Sequence, residues 1–494
     1  MKEGSRAHFA SVFIIMVSLS LFPRLMVAQD LDVKALVGED WYGLYMNGEK
    51  VGYAVEEVAI EADGTVRVGE DAHFAIKMSD VKQDMHILVN RLYKPEGDLL
   101  SIHQEVADTQ GVKRFDARVE GESMTLSTDI GGAVSEKTVP KPKENLKDAL
   151  QCERLVGKDA KVGDKLAYSL FEPMYERELE GVSRIVEVEE KQLDGALTRV
   201  FKIESILQPL GITSISCVAE TGVVLEDTIG GVIQMRLEPK EVAQDVNYCN
   251  DVIVSNAARL DAPIAEPRTR DSLRLHITGP LDGNHAFNDE RQQMTPADGG
   301  YDFSAKRIVL NGFTPAQLPI SDRAVEEWIK PSLFVQSDHP KLQDKAREIA
   351  GDEKDSFAVS SKLCSWVYTT VKTTFSAQLS NALEVLEHPE GDCTEHSILF
   401  VGLARAAGLP AREVAGLIYV DNPSPAFYFH QWAEVWIGKW IDVDPTFNQP
   451  LADVTHIKLS EGDLFEQVKL TPTIGRLGIT VTEESENREK EKRS

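Results

Sequence analysis

The sequence predicts an α+β protein in unequal parts: an antiparallel β-rich domain over residues 30–250, a linker or small β module over 251–330, and a helix-first domain over 331–460. Three observations predict it. A chain of 494 residues exceeds a single core and suggests about three domains. Short β-prone runs bounded by turn residues fill the first half, whereas from Asp322 to Glu461 the hydrophobic period becomes that of helices. Those helices come first and short strands follow, which makes an α+β rather than an alternating parallel arrangement.

In chain order, Lys2 and Arg6 precede an apolar run from Phe9 to Phe22 that ends near Ala28. A basic start, a short apolar stretch and a small residue read as a secretory signal over residues 1–28, with an uncleaved anchor as the alternative. The run is short for a membrane span, and no later segment is longer and uncharged, so no span is expected in the mature chain. The expected location is exported: periplasm, cell envelope or extracellular. Within 30–250, Asn47-Gly48 between Trp41 and Val55 is a strong hairpin signal. Further strands are expected at His86–Tyr93, Leu99–Val106, Thr198–Ser205, Ile212–Ala219 and Val232–Leu237, with one helical interruption at Leu146–Leu155. The set suggests an antiparallel sheet, in the form of a half-barrel. Strand signals at Ser272–Ile277 and Lys306–Leu310 mark the module that follows. Residues 461–494 read as an extension whose charged end, Glu483–Ser494, is a disordered tail.

The helix-first segment has expected helices at Lys341–Ala350, Phe357–Val371 and Thr394–Ala407, the last stopped by Gly408-Leu409-Pro410. Strands are expected at Arg412–Val420, His430–Ile437 and Trp440–Val443.

Charge excludes some functions. The 53 basic residues against 80 acidic give −27, which argues against binding nucleic acid or an anionic membrane surface. Of the cysteines at 152, 217, 249, 364 and 393, an odd number, at least one must stay unpaired within the chain.

Cys393 has neighbours that single it out. Asp392 followed three residues later by Glu395 fits a capping box, which puts Cys393 at the first helical position. Free N–H groups and the positive end of the helix dipole there favour a thiolate and offer half of an oxyanion hole. Alone, such a cysteine is more often simply buried. His430 at a strand start and Asp444 before Pro445 each have ordinary explanations too, as a surface residue and a turn cap. Together, a thiol on a helix start with His and Asp on successive strands is what cysteine acyl transfer requires.

The segments Gly391-Asp392-Cys393-Thr394-Glu395-His396, Leu403 to Arg412, His430-Gln431-Trp432 and Asp444-Pro445-Thr446 resemble the core motifs of the transglutaminase-like, papain-related superfamily, in the same chain order. The resemblance spans roughly 331–459, about a quarter of the chain. It implies a papain-like fold there, Cys393 as nucleophile, His430 as general base and acid, and Asp444 orienting the imidazole. The implied chemistry is attack on a carboxamide or peptide carbonyl to give a thioester. That thioester is then hydrolysed, as in a cysteine protease or amidase, or passed to an amine, as in protein cross-linking. The implied partner is a protein or peptide substrate. No cofactor is called for, and oligomeric state is not encoded in any motif. A non-catalytic envelope-binding or scaffold protein built on the β-rich domain is the rival reading.

Side-chain alternation sets a condition on this triad. With a two-residue turn at Gly438-Lys439, Ile437 would pair with Trp440 and Asp444 would oppose Ala433, on the face away from His430. An odd loop or bulge is therefore predicted; one version pairs Val435 with Lys439 and sets Asp444 opposite His430. Asp442 shares that parity, and only the resemblance favours Asp444. Candidate site-lining residues are Trp432 beside His430, Gln378 and Asn381 as oxyanion donors, and His396 near the pocket. Cys393, His396 and His430 also supply ligand types for zinc, though without a recognised ligand spacing.

Overall fold

The structure, a computed structural model, describes residues 33–482 apart from 47, 79–80, 109–110, 152–154, 194, 247–255, 375–378 and 423. The expected signal segment and charged tail lie outside the described residues, as do Asn47, Cys152, Cys249, Gln378 and residues 152–154 of the expected helix. Two compact units result, one within 13–251 together with 377–379, the other formed by the remaining residues from 252 onward.

Strict alternation is what makes the first unit a sheet. In Ser123–Ile130 every second residue is buried, Met124, Leu126, Thr128 and Ile130 facing inward. Fourteen such strands form one antiparallel sheet from two meanders, residues 38–140 and 165–237. They meet where Gly38–Met46 pairs with Ile233–Leu237. Ala133–Pro140 and Lys165–Glu172 are its two edges. Within the expected helix Leu146–Leu155, Leu146–Ala149 forms a short helix capped by Asn145, and Gln151 and Leu155, on either side of 152–154, are also helical.

In the second unit a four-stranded sheet runs in the order Gln292–Ala297, Gly300–Lys306, Ser272–Thr278, Gly478–Val481. The strand expected at Lys306–Leu310 is displaced: Lys306 ends the preceding strand, and 307–310 carry no strand. Pro296 hides the signal of Gln292–Ala297, which tolerates a missing N–H because it is an edge strand. The C-terminal extension is not all tail, since it supplies the short helix Leu464–Gln467 and the strand Gly478–Val481.

The five-stranded sheet of this unit positions the candidate site. Ala411–Val420 lies between Ala426–Trp436 and His456–Glu461, while Trp440–Val443 and Ala258–Arg259 both pair with Ala426–Trp436. Helix Cys393–Ala406 packs on the strands at 411–420 and 426–436 and against helices Pro340–Ala350, Ser356–Thr370 and Ala382–Glu387. It is buried without interruption from Cys393 to Ala404, as its run Ile398-Leu399-Phe400-Val401 requires.

The hairpin after His430 has a three-residue loop. Trp436 pairs with Trp440, so residues 437–439 turn the chain, and Gly438 takes φ +103°. The register differs by one position in each strand from the version that paired Val435 with Lys439. Ala433 pairs with Val443, so Asp444 follows across from Trp432, on the side that His430 shares.

Gly416 sits opposite His430 in the ladder, and a Cβ there would lie 1.9 Å from the Ile457 carbonyl oxygen. Gly416→Ala is therefore expected to destabilise the second unit by about 2–3 kcal/mol. Thermal unfolding checks this, and an unchanged midpoint would show that the strands separate there without cost.

Candidate active site

The start of helix Cys393–Ala406 is held by its own cap. Asp392 Oδ1 accepts from the Thr394 N–H at 2.7 Å, and Glu395 Oε2 accepts from the Asp392 N–H at 2.8 Å. The capping box read from sequence thus forms, with Cys393 as the first helical residue. Farther along the same turn, Ser397 Oγ donates to the Gln431 carbonyl at 3.1 Å and ties the helix to the His430 strand. The Cys393 sulfur in turn faces the Gln431 backbone N–H.

On that strand the His430 imidazole is fully buried, with Nε2 2.9 Å from Asp444 Oδ2. Its Nδ1 is buried and has no hydrogen-bond partner among the described residues. Trp432 stacks on the ring at 5.9 Å between centroids and Phe447 meets it edge-on. Asp444 Oδ1 accepts from the N–H groups of Thr446 and Phe447 at 2.8 and 3.2 Å. The carboxylate is therefore aimed by a turn of its own making, the Asx geometry that Asp favours before a proline. Cys364, on helix Ser356–Thr370, places its thiol 3.6 Å from the Asp444 carbonyl.

Asp442, equivalent by parity, is already engaged. It accepts from the Trp432 indole at 2.7 Å and from Arg291 Nε at 2.9 Å. Trp432 is thus both a wall beside His430 and an anchored core residue.

A residue missed in the sequence completes the cluster. His456 Nε2 lies 2.9 Å from Asp444 Oδ2, the same oxygen that serves His430. His456 opens the strand His456–Glu461, in which the first five residues are all buried. The segment His-Ile-Lys-Leu-Ser-Glu alternates polar and apolar, a pattern that by itself marks no site. Its buried Lys458 pairs with Glu434, Asp289 and Glu461, each at 2.7 Å.

The remaining candidates have structural engagements. His396 Nδ1 lies 2.6 Å from the Asp392 carbonyl, and the ring also bonds the Val371 carbonyl. It does not join Cys393 and His430 in a ligand group. Asn381 caps helix Ala382–Glu387, its Oδ1 accepting from the Glu384 N–H at 2.9 Å and its own N–H going to Glu384 Oε2. Asn381 Nδ2 is buried without a hydrogen-bond partner among the described residues. Two groups of three ligand atoms lie in this unit among the described residues, and in one of them the fully buried His430, Asp444 and His456 are joined by hydrogen bonds. The other, Asp289, Glu434 and Asp442, already holds the cations of Lys458 and Arg291.

Burial reverses one expectation. It pushes the Cys393 thiol well above its usual range, the neighbouring Asp392 carboxyl adds to this, and the Gln431 N–H offsets only part. The resting sulfur is thus a thiol, not the thiolate expected from the helix start. Burial likewise holds His430 below the ordinary histidine value despite Asp444, leaving a neutral imidazole. For His456 burial acts in the same direction, but hydrogen bonds to Asp444 and Asp453 outweigh it and the pKa rises. For Asp444 burial opposes charge, and the two imidazoles overcome it to hold the carboxylate ionised.

The two imidazoles on one carboxylate should therefore titrate on opposite sides of about pH 6.5. His456 contributes stability that is complete below that pH and is lost as pH rises through its folded-state pKa. His430 acts oppositely, and stability falls as pH drops below its unfolded value. A ring-proton NMR titration checks this: His456→Ala should remove the upper transition and leave the lower.

Residues 343–445 match the family model of the transglutaminase-like superfamily, a span that contains Cys393, His430 and Asp444 and stops short of His456. No curated protein matches the chain. Among solved structures, a protein of Cytophaga hutchinsonii provisionally assigned as a cysteine protease is 19% identical, covering 42% of this chain and 83% of its own at TM-score 0.30. A β-barrel-like protein of Brucella abortus, of a domain of unknown function, is 9% identical and covers 40% of this chain and 94% of its own at TM-score 0.31. A provisionally assigned protease of Parabacteroides distasonis is 10% identical, covering 78% and 65% at TM-score 0.19. At such scores these likenesses decide neither fold nor chemistry.

Proposed function

We propose, from the premise that this chain carries a transglutaminase-like domain at residues 343–445, that it is an exported cysteine enzyme cleaving carboxamide or peptide bonds through a thioester on Cys393. The observation that carries the reading is His430: one ring nitrogen is fixed on Asp444, the other is buried without a partner among the described residues, and the nucleophile's helix is tied to the adjacent Gln431.

In this reading the resting pair is a neutral thiol and a neutral imidazole. As the sulfur attacks the carbonyl carbon, His430 takes its proton and Asp444 stabilises the imidazolium that forms. The capping box occupies the N–H groups of Thr394 and Glu395, which leaves the N–H of Cys393 itself as the helix-start donor to the oxyanion. His430 then protonates the departing amine. The thioester is released by water or by a second amine, and which nucleophile enters decides between hydrolysis and cross-linking. The substrate is a protein or peptide, and export follows from the basic and apolar N-terminal segment.

Complete burial of Cys393 favours the second reading, a scaffold whose triad does no chemistry. A thiol-directed activity probe separates the two. Labelling of the wild type that vanishes in a folded Cys393→Ala chain supports the enzyme, and equal labelling supports the scaffold. A glutamine-containing protein with a labelled primary amine then distinguishes transfer, seen as incorporation, from hydrolysis, seen as new termini.

Because His430 acts as a base from its neutral form and its pKa is lowered, the acid limb of kcat/KM should lie below about pH 6.5. An acid limb above pH 7, measured across buffers at constant ionic strength, would instead mean that another group is the base.

A further inference from the structure

We propose that Asp71, His73 and His86, on the solvent face of the β-rich unit, form a binding site for a divalent transition-metal ion of the zinc type. The proposal is independent of the thiol chemistry above. Asp71 and His73 are two apart on Val66–Met78, and His86 is the direct cross-strand partner of His73 on Val81–Tyr93. Alternation therefore places all three on one face, while Ala72, Phe74, Met85 and Ile87 point into the buried side.

The side chains converge instead of dispersing into water. His73 Nε2 and His86 Nε2 lie 2.8 and 2.7 Å from the same oxygen, Asp71 Oδ1. The two rings stack at 4.2 Å with 15° between their planes, and Tyr53 continues the stack on His73 at 4.8 Å. Both Nε2 atoms thus lie within reach of one oxygen from two adjacent strands. Zinc takes imidazole nitrogen and carboxylate oxygen at about 2.0–2.2 Å, which sets neighbouring ligand atoms about 3.3 Å apart on a tetrahedron. To admit the ion, the two nitrogen–oxygen distances must open from 2.8 and 2.7 Å to about 3.3 Å and the rings must turn out of their stack so that both in-plane lone pairs meet it. Each imidazole would bind neutral, with its hydrogen on Nδ1, so the ion replaces the two hydrogens now shared with Asp71.

Two imidazoles and one carboxylate suit zinc and its first-row neighbours, whereas calcium and magnesium call for oxygen ligands. Positions left open would be filled from a recess of about 440 Å³ beside the rings, lined by Tyr53, Asp84, Met85 and Val246 as well as the two histidines. Of the three groups of this kind among the described residues, this one alone is solvent-accessible in all three members. One of the others is sealed around Asp444, and the second is occupied by the Lys458 ammonium.

The test uses the full chain bearing Cys393→Ala, which removes the candidate nucleophile as a competing ligand, stripped with a chelator and titrated calorimetrically with zinc chloride. One equivalent should bind, with affinity falling at least about tenfold in His73→Gln and in His86→Gln. It should stay unchanged in His276→Gln, a half-buried histidine paired with Asp302 on the other unit. Absence of saturable binding, or equal binding by the His73→Gln and His86→Gln chains, overturns the proposal. If those substitutions impair folding, cobalt(II) added to the chain with both histidines intact decides: paramagnetic shifts on the His73 and His86 rings support the site, and shifts confined to other histidines overturn it.

Discussion

One oxygen atom, Oδ2 of Asp444, organises the centre of the second unit. It is fully buried and faces the Nε2 atoms of His430 and His456, each at 2.9 Å, while its partner oxygen is held by two backbone N–H groups. A carboxylate so placed is affordable only because every lone-pair direction is answered, since an unpaired buried charge would cost several kcal/mol. It cannot be moved alone. Its position follows from the loop at 437–439: shorten that loop by one residue and the side chain passes to the opposite face of the sheet.

Beneath this carboxylate lies a second buried layer of charge that keeps the strands in register. Asp442 takes the Trp432 indole and Arg291, and Lys458 spans Glu434, Asp289 and Glu461. Glu434 also receives Arg412. The layer joins residues near 290 to strands near 440 and 458, so the segment read as a linker or small module shares a charge network with the strands that carry His430 and Asp444. The same layer separates two aspartates of equal parity, because Asp442 is consumed by packing and Asp444 is left to the imidazoles.

Legibility from sequence tracked the locality of the signal. The cap at Asp392 and Glu395, the helix exit at Gly408, and the need for an odd loop after Trp436 depend on neighbouring residues, and each could be reasoned from a few positions. His456 could not, since it lies twelve residues beyond Asp444 on a strand whose lysine is buried, against every expectation of where lysine resides. A signal did exist: three polar residues alternating with Ile457 and Leu459 fit a strand, if the polar side is allowed to face inward. The state of Cys393 was misread for a related reason. The helix start is local and favours a thiolate, whereas the enclosure that opposes it is built by strands far away in the chain.

The small sheet carries a consequence for biosynthesis. Its last strand, Gly478–Val481, adds to Ser272–Thr278 across an interval of two hundred residues, with Thr278 paired to Gly478. A chain emerging in order from the ribosome, or threading in order through a translocation pore, presents all of Cys393, His430 and Asp444 before that edge can be covered. Until the final strand arrives, the unit holds an unfinished sheet edge, a template for pairing with other chains. Assembly of the candidate site and protection from aggregation are thereby completed at different moments, the second governed by residues that take no part in the first.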